Sequence, residues 1–204
     1  MTTSDLQKIL TNLSMHRPVF HSEADFQHAL AWALHEKFPD ARIRLEYRVP
    51  DIESKIYLDI LLETASDRIA IELKYKTRKW QGEHEGESFA LRNQSAQDVA
   101  RYDFIKDVTR LEAIRDTFTK GYAVFLTNSH LYWKSGKRTD TVDAGFRIHE
   151  GAILSGIRQW CGNPSEGTTQ SRTEVLSLTG TYPIKWHDYS EIAYGFRYIL
   201  LEVS

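Results

Sequence analysis

The chain has 204 residues, of which 41% are hydrophobic and 26% are charged, with a formal net charge of −2. This composition is that of an ordinary globular domain and excludes a disordered chain. A single cysteine, Cys161, excludes an internal disulfide and a cysteine-based zinc site. No apolar run reaches the roughly 18 residues of a membrane span and no signal peptide is visible, so we expect a soluble cytoplasmic protein without membrane contact.

The first elements predicted along the chain are two helices and a strand. Residues 4–14 have apolar side chains at helical spacing and predict a short amphipathic helix. Residues 21–38 predict a stronger helix, because Ser22 is a good N-cap and an apolar stripe follows it. Residues 42–49 alternate between polar and apolar side chains and end at Pro50, which is typical of a strand.

Glu23 extends the apolar stripe of the second helix at its N-terminal end, three residues before Phe26. One explanation is an acidic residue that is favoured by the helix dipole. The other is a carboxylate that points inward and joins a metal site.

Residues 55–63 and 68–75 alternate strictly and predict two antiparallel strands. The four residues 64–67 form a plausible connection, with Glu63 opposite Arg68. This stretch is the strongest local signal in the chain.

Two carboxylates meet in that register, because Asp59 falls opposite Glu72. Directly opposed residues have Cβ atoms about 4.5–5.5 Å apart, so the two charges repel. A divalent cation between them converts the repulsion into a binding site, and hard oxygen ligands suit Mg²⁺ or Mn²⁺. Lys74 lies on the same face and can reach a metal-bound water or a phosphate.

Residues 77–93 contain two glycines and mixed charges without periodicity, which predicts a loop near the entry of a substrate. Lys76, Arg78 and Lys79 lie beside Trp80, and this mixture of cations and an aromatic ring suits phosphate contact with base stacking. A solvated run of charges explains the pattern equally well.

Residues 93–118 predict the longest helix. Its stripe is apolar in the C-terminal half and polar in the N-terminal half, which predicts that Gln97 and Arg101 face a cavity. Gln97 would orient a phosphate or water, and Arg101 would bind a phosphate. Alternatively, the charges of this helix form a salt-bridge lattice. The pairs at i,i+3 spacing are Asp103 with Lys106 and Asp107 with Arg110.

Residues 121–128 predict a buried strand, parallel to its neighbour through a helical crossover. Residues 148–160 predict a helix, and residues 162–172 predict an exposed loop. Residues 182–186 and 194–203 predict late strands. Core packing is the default explanation for the aromatic residues here, with a base-stacking platform or a homodimer interface as the alternative. They are Tyr182, Trp186, Tyr189, Tyr194, Phe196 and Tyr198.

The order Asp59, then Glu72-Leu73-Lys74 thirteen residues later, resembles the D…ExK core of the PD-(D/E)XK, or restriction-endonuclease-like, nuclease superfamily. Leu58 replaces the usual proline. The run at 97–112 also resembles a stretch in uncharacterised bacterial members of that superfamily. The resemblance implies an α/β fold with an αβββαβ core, a mixed central sheet flanked by helices. The core spans about residues 20–128 of a single domain, with a C-terminal elaboration over about 129–204.

The resemblance also implies a function, which is hydrolysis of DNA phosphodiester bonds by a metal-activated water. Asp59, Glu72 and the Leu73 carbonyl would hold the metal, with Glu23 as an auxiliary ligand. Lys74 would orient or activate the water, or neutralise the phosphate. The sequence does not distinguish DNA from RNA.

Two other hypotheses remain. The first is an inactive module of the same fold that binds nucleic acid or a protein partner, and a pI of about 6.4 leaves it open because dedicated nucleic-acid binders are often basic. The second is a structural ion network in which Asp59 and Glu72 pair with Lys74 and an arginine.

Overall fold

Helices pack on both faces of a mixed β-sheet in the computed structural model, which describes residues 1–50 and 55–203. The helices are α1 (Thr3–His16), α2 (Glu23–Lys37), α3 (Gln97–Ala113) and α4 (Glu166–Thr169). The strands are β1 (Arg42–Arg48), β2 (Tyr57–Glu63), β3 (Arg68–Lys76), β4 (Trp80–His84), β5 (Glu87–Leu91), β6 (Lys120–Thr127), β7 (Ile153–Arg158), β8 (Leu176–Pro183), β9 (Trp186–Ser190) and β10 (Phe196–Val203). Within the described ranges, no helix is both long and apolar enough to cross a bilayer.

The central sheet has six strands in the order β1-β2-β3-β6-β10-β9. The predicted hairpin is confirmed, since β2 and β3 pair antiparallel with Glu63 opposite Arg68. The predicted crossover is confirmed as well, because β6 follows α3 and pairs parallel to β3. In the C-terminal part, β9 and β10 extend this same sheet, whereas β7 and β8 form a separate two-stranded sheet.

Each face of the sheet carries its own apolar core. Ile69, Ile71 and Leu73 of β3 pack with α1 and α2, as the alternation of that strand predicts. Ala70, from the opposite side of β3, packs with α3 and the β7–β8 hairpin. Buried apolar area on both faces is the main stabilising contribution, at about 25 cal/mol per Å².

The predicted alternation of β2 breaks at Asp59. Leu58 packs in the core under α3, whereas Ile60 packs in the core under α1 and α2, so the two do not share the predicted face. On the paired strand β1, Glu46 has a φ of 49°, in the left-handed region that residues other than glycine rarely adopt. The residues on either side pair regularly, but Glu46 and Asp59 do not.

The predicted loop at 77–93 is wrong, because its central part is the β4–β5 hairpin. Glu85 and Gly86 form the two-residue turn, with φ values of 49° and 82°. Two successive positive φ angles are the geometry of a type I′ hairpin turn, which matches the twist of the flanking strands. The Glu-Gly pair between two short segments was a usable signal.

The predicted helix at 148–160 is also wrong, because β7 occupies its centre and pairs with β8. Ile153 and Ile157, which a helix here would pack inward, are exposed, while Leu154 is buried. Gly151 and Gly156 have positive φ angles, which a right-handed helix does not allow. The predicted loop at 162–172 holds only the four-residue helix α4.

Core packing is confirmed for five of the six late aromatic residues, whose rings are buried. Tyr194 differs, since 62% of it is exposed and its φ is 75°. Its use in base stacking or in a homodimer stays a prediction.

Arg101 anchors the segment after β6 to α3. Its guanidinium forms a buried ion pair with Asp143, donates a hydrogen bond of 2.6 Å to the Leu131 carbonyl oxygen and lies over the Tyr132 ring. The predicted orientation toward a substrate cavity is therefore wrong, because the guanidinium is engaged by Asp143 and Tyr132, which are both buried. A buried carboxylate close to this helix required a cation, and Arg101 supplies it.

Replacing Arg101 should lower the free energy of unfolding. Arg101→Met leaves Asp143 buried with only Arg147, whose Nη2 lies 3.4 Å from Asp143 Oδ1. We expect the free energy of unfolding to fall by about 3 kcal/mol, as measured by urea denaturation. The control is Arg172→Met, because Arg172 pairs with Asp103 of the same helix in a half-exposed bridge worth about 0–1 kcal/mol. Equal losses in the two variants would contradict a structural role for Arg101.

Candidate active site

The Asp59 side chain crosses from β2 to β3 where main-chain pairing between them stops. The last paired residues are Ile60 and Ile71, and one further step of that register sets Asp59 against Glu72. Asp59 Oδ2 accepts a hydrogen bond of 2.6 Å from the Leu73 amide. The Asp59 carboxylate of β2 thus contacts the main chain of β3 within the predicted Glu72-Leu73-Lys74 motif.

Glu23 accepts a hydrogen bond from the next unpaired amide along the same edge of β3. Its Oε2 accepts a hydrogen bond of 2.7 Å from the Tyr75 amide and lies 3.4 Å from Lys76 Nζ. Glu23 lies in the first turn of α2, as the helix-dipole explanation requires, and its carboxylate also contacts β3. Its part in a metal site stays a prediction. Asp59 and Glu23 together replace the strand partner that β2 no longer provides, since buried amides need an acceptor.

Gln27 holds Asp59 in place and was missed in the sequence. Its Nε2 donates to the Asp59 carbonyl oxygen at 2.7 Å and to Glu46 Oε1 at 2.8 Å. The left-handed Glu46 thus contributes its side chain to the support of the site. A usable signal existed, because Gln27 follows Glu23 by four residues, which places both on one side of α2.

Helix α3 contributes Asp107 and Arg110 to the site. Asp107 forms an ion pair with Lys74, and its Oδ1 lies 3.0 Å from Arg110 Nη1. Arg110 Nη2 lies 3.5 Å from Glu72 Oε1 and donates to the Tyr57 carbonyl oxygen at 2.8 Å. The groups form one chain of charges from Lys74 through Asp107 and Arg110 to Glu72.

The two predicted i,i+3 pairs of this helix have different outcomes. The pair of Asp107 with Arg110 is confirmed, although Asp107 is only 4% exposed. The pair of Asp103 with Lys106 is wrong, because both residues bond to the later part of the chain. Their partners are Arg172 and Glu174, respectively.

Burial dominates the electrostatics of the carboxyl groups. Glu72 is 3% exposed, and this burial raises its pKa well above the ordinary value, with further increases from the charges of Asp107 and Asp59. The pKa of Asp59 and the pKa of Asp107 are also raised, chiefly by burial. Glu72 Oε1 is buried and has no hydrogen-bond partner among the described residues. The site therefore holds more negative charge than its cations satisfy.

In contrast to the carboxyl groups, Lys74 has a pKa shift that favours its charged form. Burial acts to lower its pKa, but the charge and hydrogen bond of Asp107, followed by the charges of Glu23 and Asp59, outweigh burial and raise the pKa. Its Nζ also donates to the Leu73 carbonyl oxygen at 3.2 Å. Lys74 is therefore a firmly protonated ammonium in this environment.

The oxygen atoms present fit a hard divalent cation. Glu72 and Asp59 supply carboxylates, and Glu72 Oε1 accepts no hydrogen bond from the described residues although Arg110 Nη2 lies 3.5 Å from it. Among the described residues, no group of three or more His, Cys, Asp or Glu side chains is arranged to hold a metal ion. The predicted ligand set does not require such a group, because it adds the Leu73 carbonyl and water.

Only some of the residues predicted to contact substrate lie near the candidate active site. Lys76 lies beside Glu23, while Lys79 is exposed and the Arg78 guanidinium lies 4.5 Å from the centre of the Tyr194 ring. Gln97 begins α3 ten residues before Asp107, about 15 Å away along the helix axis at 1.5 Å per residue. The helix thus meets Glu72 and Lys74 with its C-terminal half, not with the predicted polar N-terminal half.

A cleft of about 500 Å³ opens beside Glu23. Lys76 and Arg92 are the basic residues among its described lining, together with His21. Of the carboxylates of the candidate site, only Glu23 belongs to the described lining of this cleft.

No protein-family model matches this chain, and no curated protein and no solved structure matches it either. The chemistry of the site is therefore argued from its own geometry.

The raised pKa of Glu72 has a measurable consequence for stability. Because the pKa is higher in the folded state than the unfolded value of about 4.3, the native state binds the proton more tightly, and stability falls as pH rises through that interval. In the absence of metal, Glu72→Gln should raise the free energy of unfolding at pH 8 by on the order of 1 kcal/mol. The gain should shrink as pH falls toward 4, as measured by urea denaturation at several pH values.

The matched control is Glu63→Gln, which removes a carboxylate from the same hairpin. Glu63 forms half-exposed ion pairs with Arg42 and Arg68, so its loss should cost about 0–1 kcal/mol at neutral pH. If Glu72→Gln is less stable than wild type at pH 8, the buried carboxylate is not under electrostatic strain.

Proposed function

We propose that this chain is a metal-dependent nuclease of the restriction-endonuclease-like fold, hydrolysing phosphodiester bonds of DNA with Mg²⁺ or Mn²⁺. One observation carries the proposal: the Asp59 carboxylate lies 2.6 Å from the amide of Leu73, the residue between Glu72 and Lys74. This arrangement supports the D…ExK interpretation in three dimensions, since the three polar groups belong to one place on two adjacent strands.

Asp59, Glu72 and the Leu73 carbonyl would hold the cation, with Glu23 as an auxiliary ligand. A bound divalent ion lowers the pKa of its water and stabilises the charge that develops on the phosphate. Gln27 and the Leu73 amide orient Asp59 from both sides, which keeps its carboxylate in one position.

Lys74 acts as a cation and hydrogen-bond donor in this proposal. A general base must be neutral before it accepts a proton, and the raised pKa keeps Lys74 protonated at neutral pH. Of the roles considered for it, orienting a water or neutralising the phosphate suits the protonated form that the ion pair with Asp107 favours.

The DNA strand would approach through the cleft beside Glu23. Lys76 and Arg92 line that cleft, whereas Arg78 and Lys79, which follow Thr77, lie outside its described lining. Lys76 and Arg92 would supply phosphate contacts even though the whole chain carries a net charge of −2. RNA offers the same phosphates and remains an alternative substrate.

One observation favours a competing function, in which the chain binds a partner without catalysing a reaction. The ion pairs that link Lys74, Asp107, Arg110 and Glu72 form a continuous network that occupies both the lysine and one carboxylate of the motif. A fold that keeps this network for stability would be a binding module for nucleic acid or a protein. Cleavage and metal binding distinguish the two functions.

Nucleic-acid cleavage tests the proposal directly. With Mg²⁺, wild type should cleave plasmid or oligonucleotide DNA, and Asp59→Asn and Lys74→Met should each reduce the rate by at least about 100-fold, the usual loss when one charge-stabilising group is removed. Gln97→Ala should leave the rate unchanged, because Gln97 lies about 15 Å along α3 from Asp107. Equal rates in wild type and all three variants would remove the assignment of the site.

Metal binding is tested by unfolding in the presence and absence of Mg²⁺ or Mn²⁺. A metal concentration ten times Kd should stabilise wild type by about 1.4 kcal/mol. Asp59→Asn should respond much less, whereas Glu63→Gln should respond like wild type, because Glu63 already pairs with Arg42 and Arg68. No response in wild type, with or without DNA, would favour the binding module.

A further inference from the structure

A small cleft lies in the segment between β6 and β7, away from the residues of the candidate active site. Its volume is about 220 Å³, and its described lining includes Arg138, Arg147 and His149 together with the hydroxyl groups of Ser135 and Thr139. Every ionisable side chain in that described lining is basic, although Arg138 Nε lies 3.3 Å from Asp140 Oδ1, and none of these residues belongs to the candidate active site. The cleft thus offers hydrogen-bond donors and positive charge to an acceptor.

Two nitrogen atoms in this lining lack a partner. Arg147 Nε and His149 Nδ1 are buried, and neither has a hydrogen-bond partner among the described residues. Buried polar atoms in folded proteins are nearly always satisfied, so each exception calls for an explanation. Neither atom is open to solvent, so an acceptor oxygen in the cleft reaches them only when the Arg147 and His149 side chains shift on binding.

The Arg147 guanidinium is held in position before any ligand arrives. Its Nη2 donates to Thr141 Oγ1 at 2.7 Å and lies 3.4 Å from Asp143 Oδ1. Asp143 is in turn paired with Arg101 of α3. A Cβ at Gly136 would lie 2.9 Å from Arg147 Nη1, so a glycine there allows the loop to close over the guanidinium. Such preorganisation reduces the ordering cost of binding.

We propose that this cleft binds a phosphoryl group, as inorganic phosphate or as the terminal phosphate of a nucleotide or oligonucleotide. Arginine guanidinium groups and hydroxyls are the usual donors to a phosphate, and the charged donors make the strong bonds. A cleft of about 220 Å³ is smaller than the roughly 300–1,000 Å³ of pockets that enclose drug-sized ligands. The phosphoryl group therefore enters, and an attached nucleoside stays outside.

The test is calorimetric titration of the full chain with inorganic phosphate, in a buffer free of phosphate and sulfate. Wild type should bind saturably with one site per chain, and Arg147→Gln should weaken binding by at least about tenfold. The matched control is Lys137→Gln, which removes one positive charge from the same loop at an exposed residue outside the described lining of the cleft. It should bind phosphate like wild type.

A second variant protects the test against misfolding of Arg147→Gln. The double substitution of Ser135 and Thr139 by alanine changes only exposed side chains, so the fold should be kept, and phosphate binding should still weaken several-fold. Wild type that does not bind phosphate overturns the proposal. An equal loss in Lys137→Gln and Arg147→Gln also overturns it, because that result indicates diffuse attraction by the loop.

The source of the phosphoryl group is resolved by competition. Oligonucleotides with a 5′-phosphate or a 5′-hydroxyl are compared, each with and without inorganic phosphate. Competition only against the phosphorylated oligonucleotide identifies a terminal phosphate as a ligand, and binding of inorganic phosphate alone identifies the free anion. Asp59→Asn should bind phosphate like wild type, so failure of this proposal and failure of the nuclease proposal are separable.

Discussion

The hydrogen bond from the Leu73 amide to Asp59 is the interaction on which the rest of the candidate site depends. Strands β2 and β3 stop exchanging main-chain hydrogen bonds after Ile60 and Ile71, yet the edge of β3 continues into the interior. Because buried amides require acceptors, side-chain carboxylates take over, first Asp59 and then Glu23 at Tyr75. The end of main-chain pairing between β2 and β3 therefore brings carboxylates close to Lys74.

This concentration of charge is unfavourable by itself. Burial raises the pKa of Glu72, Asp59 and Asp107, so the folded chain holds these groups in environments that resist their ionisation. Lys74 and Arg110 compensate in part, while one oxygen of Glu72 lacks a hydrogen bond among the described residues. Perturbed groups of this kind concentrate at functional sites, although structural networks also produce them. A cation would relieve the repulsion, which is why stability and metal response are informative together.

Helix α3 performs two separate tasks with its buried charges. Arg101 binds the segment after β6 through Asp143, and Asp107 with Arg110 completes the carboxylate cluster. At 3.6 residues per turn, Arg101 and Asp107 point in directions roughly 120° apart, which lets one helix serve two regions. Asp143 is also linked to Arg147, so the same helix supports the cleft that we propose for a phosphoryl group.

The sequence by itself determined the local part of this protein. Alternation and a four-residue connection predicted the hairpin with Glu63 opposite Arg68, because strand register follows from neighbours in the chain. The predicted pair of Asp59 with Glu72 lies just beyond the last main-chain pair, and Asp59 accepts a hydrogen bond from the Leu73 amide instead. The order α2, β1, β2, β3, α3 and the parallel strand β6 were also predicted, whereas the β4–β5 and β7–β8 hairpins were missed.

Only the tertiary structure decided which charged residues of α3 meet that hairpin. Polar side chains occur on several sides of this helix, so periodicity did not separate Arg101, which was wrongly directed at the site, from Asp107, which reaches Lys74. The support of Asp59 by Gln27 and the left-handed Glu46 likewise depend on the packing of α2 against β1 and β2. The physical reason is that a buried charge is tolerated only where a distant segment brings its partner, and that pairing is a property of the assembled fold.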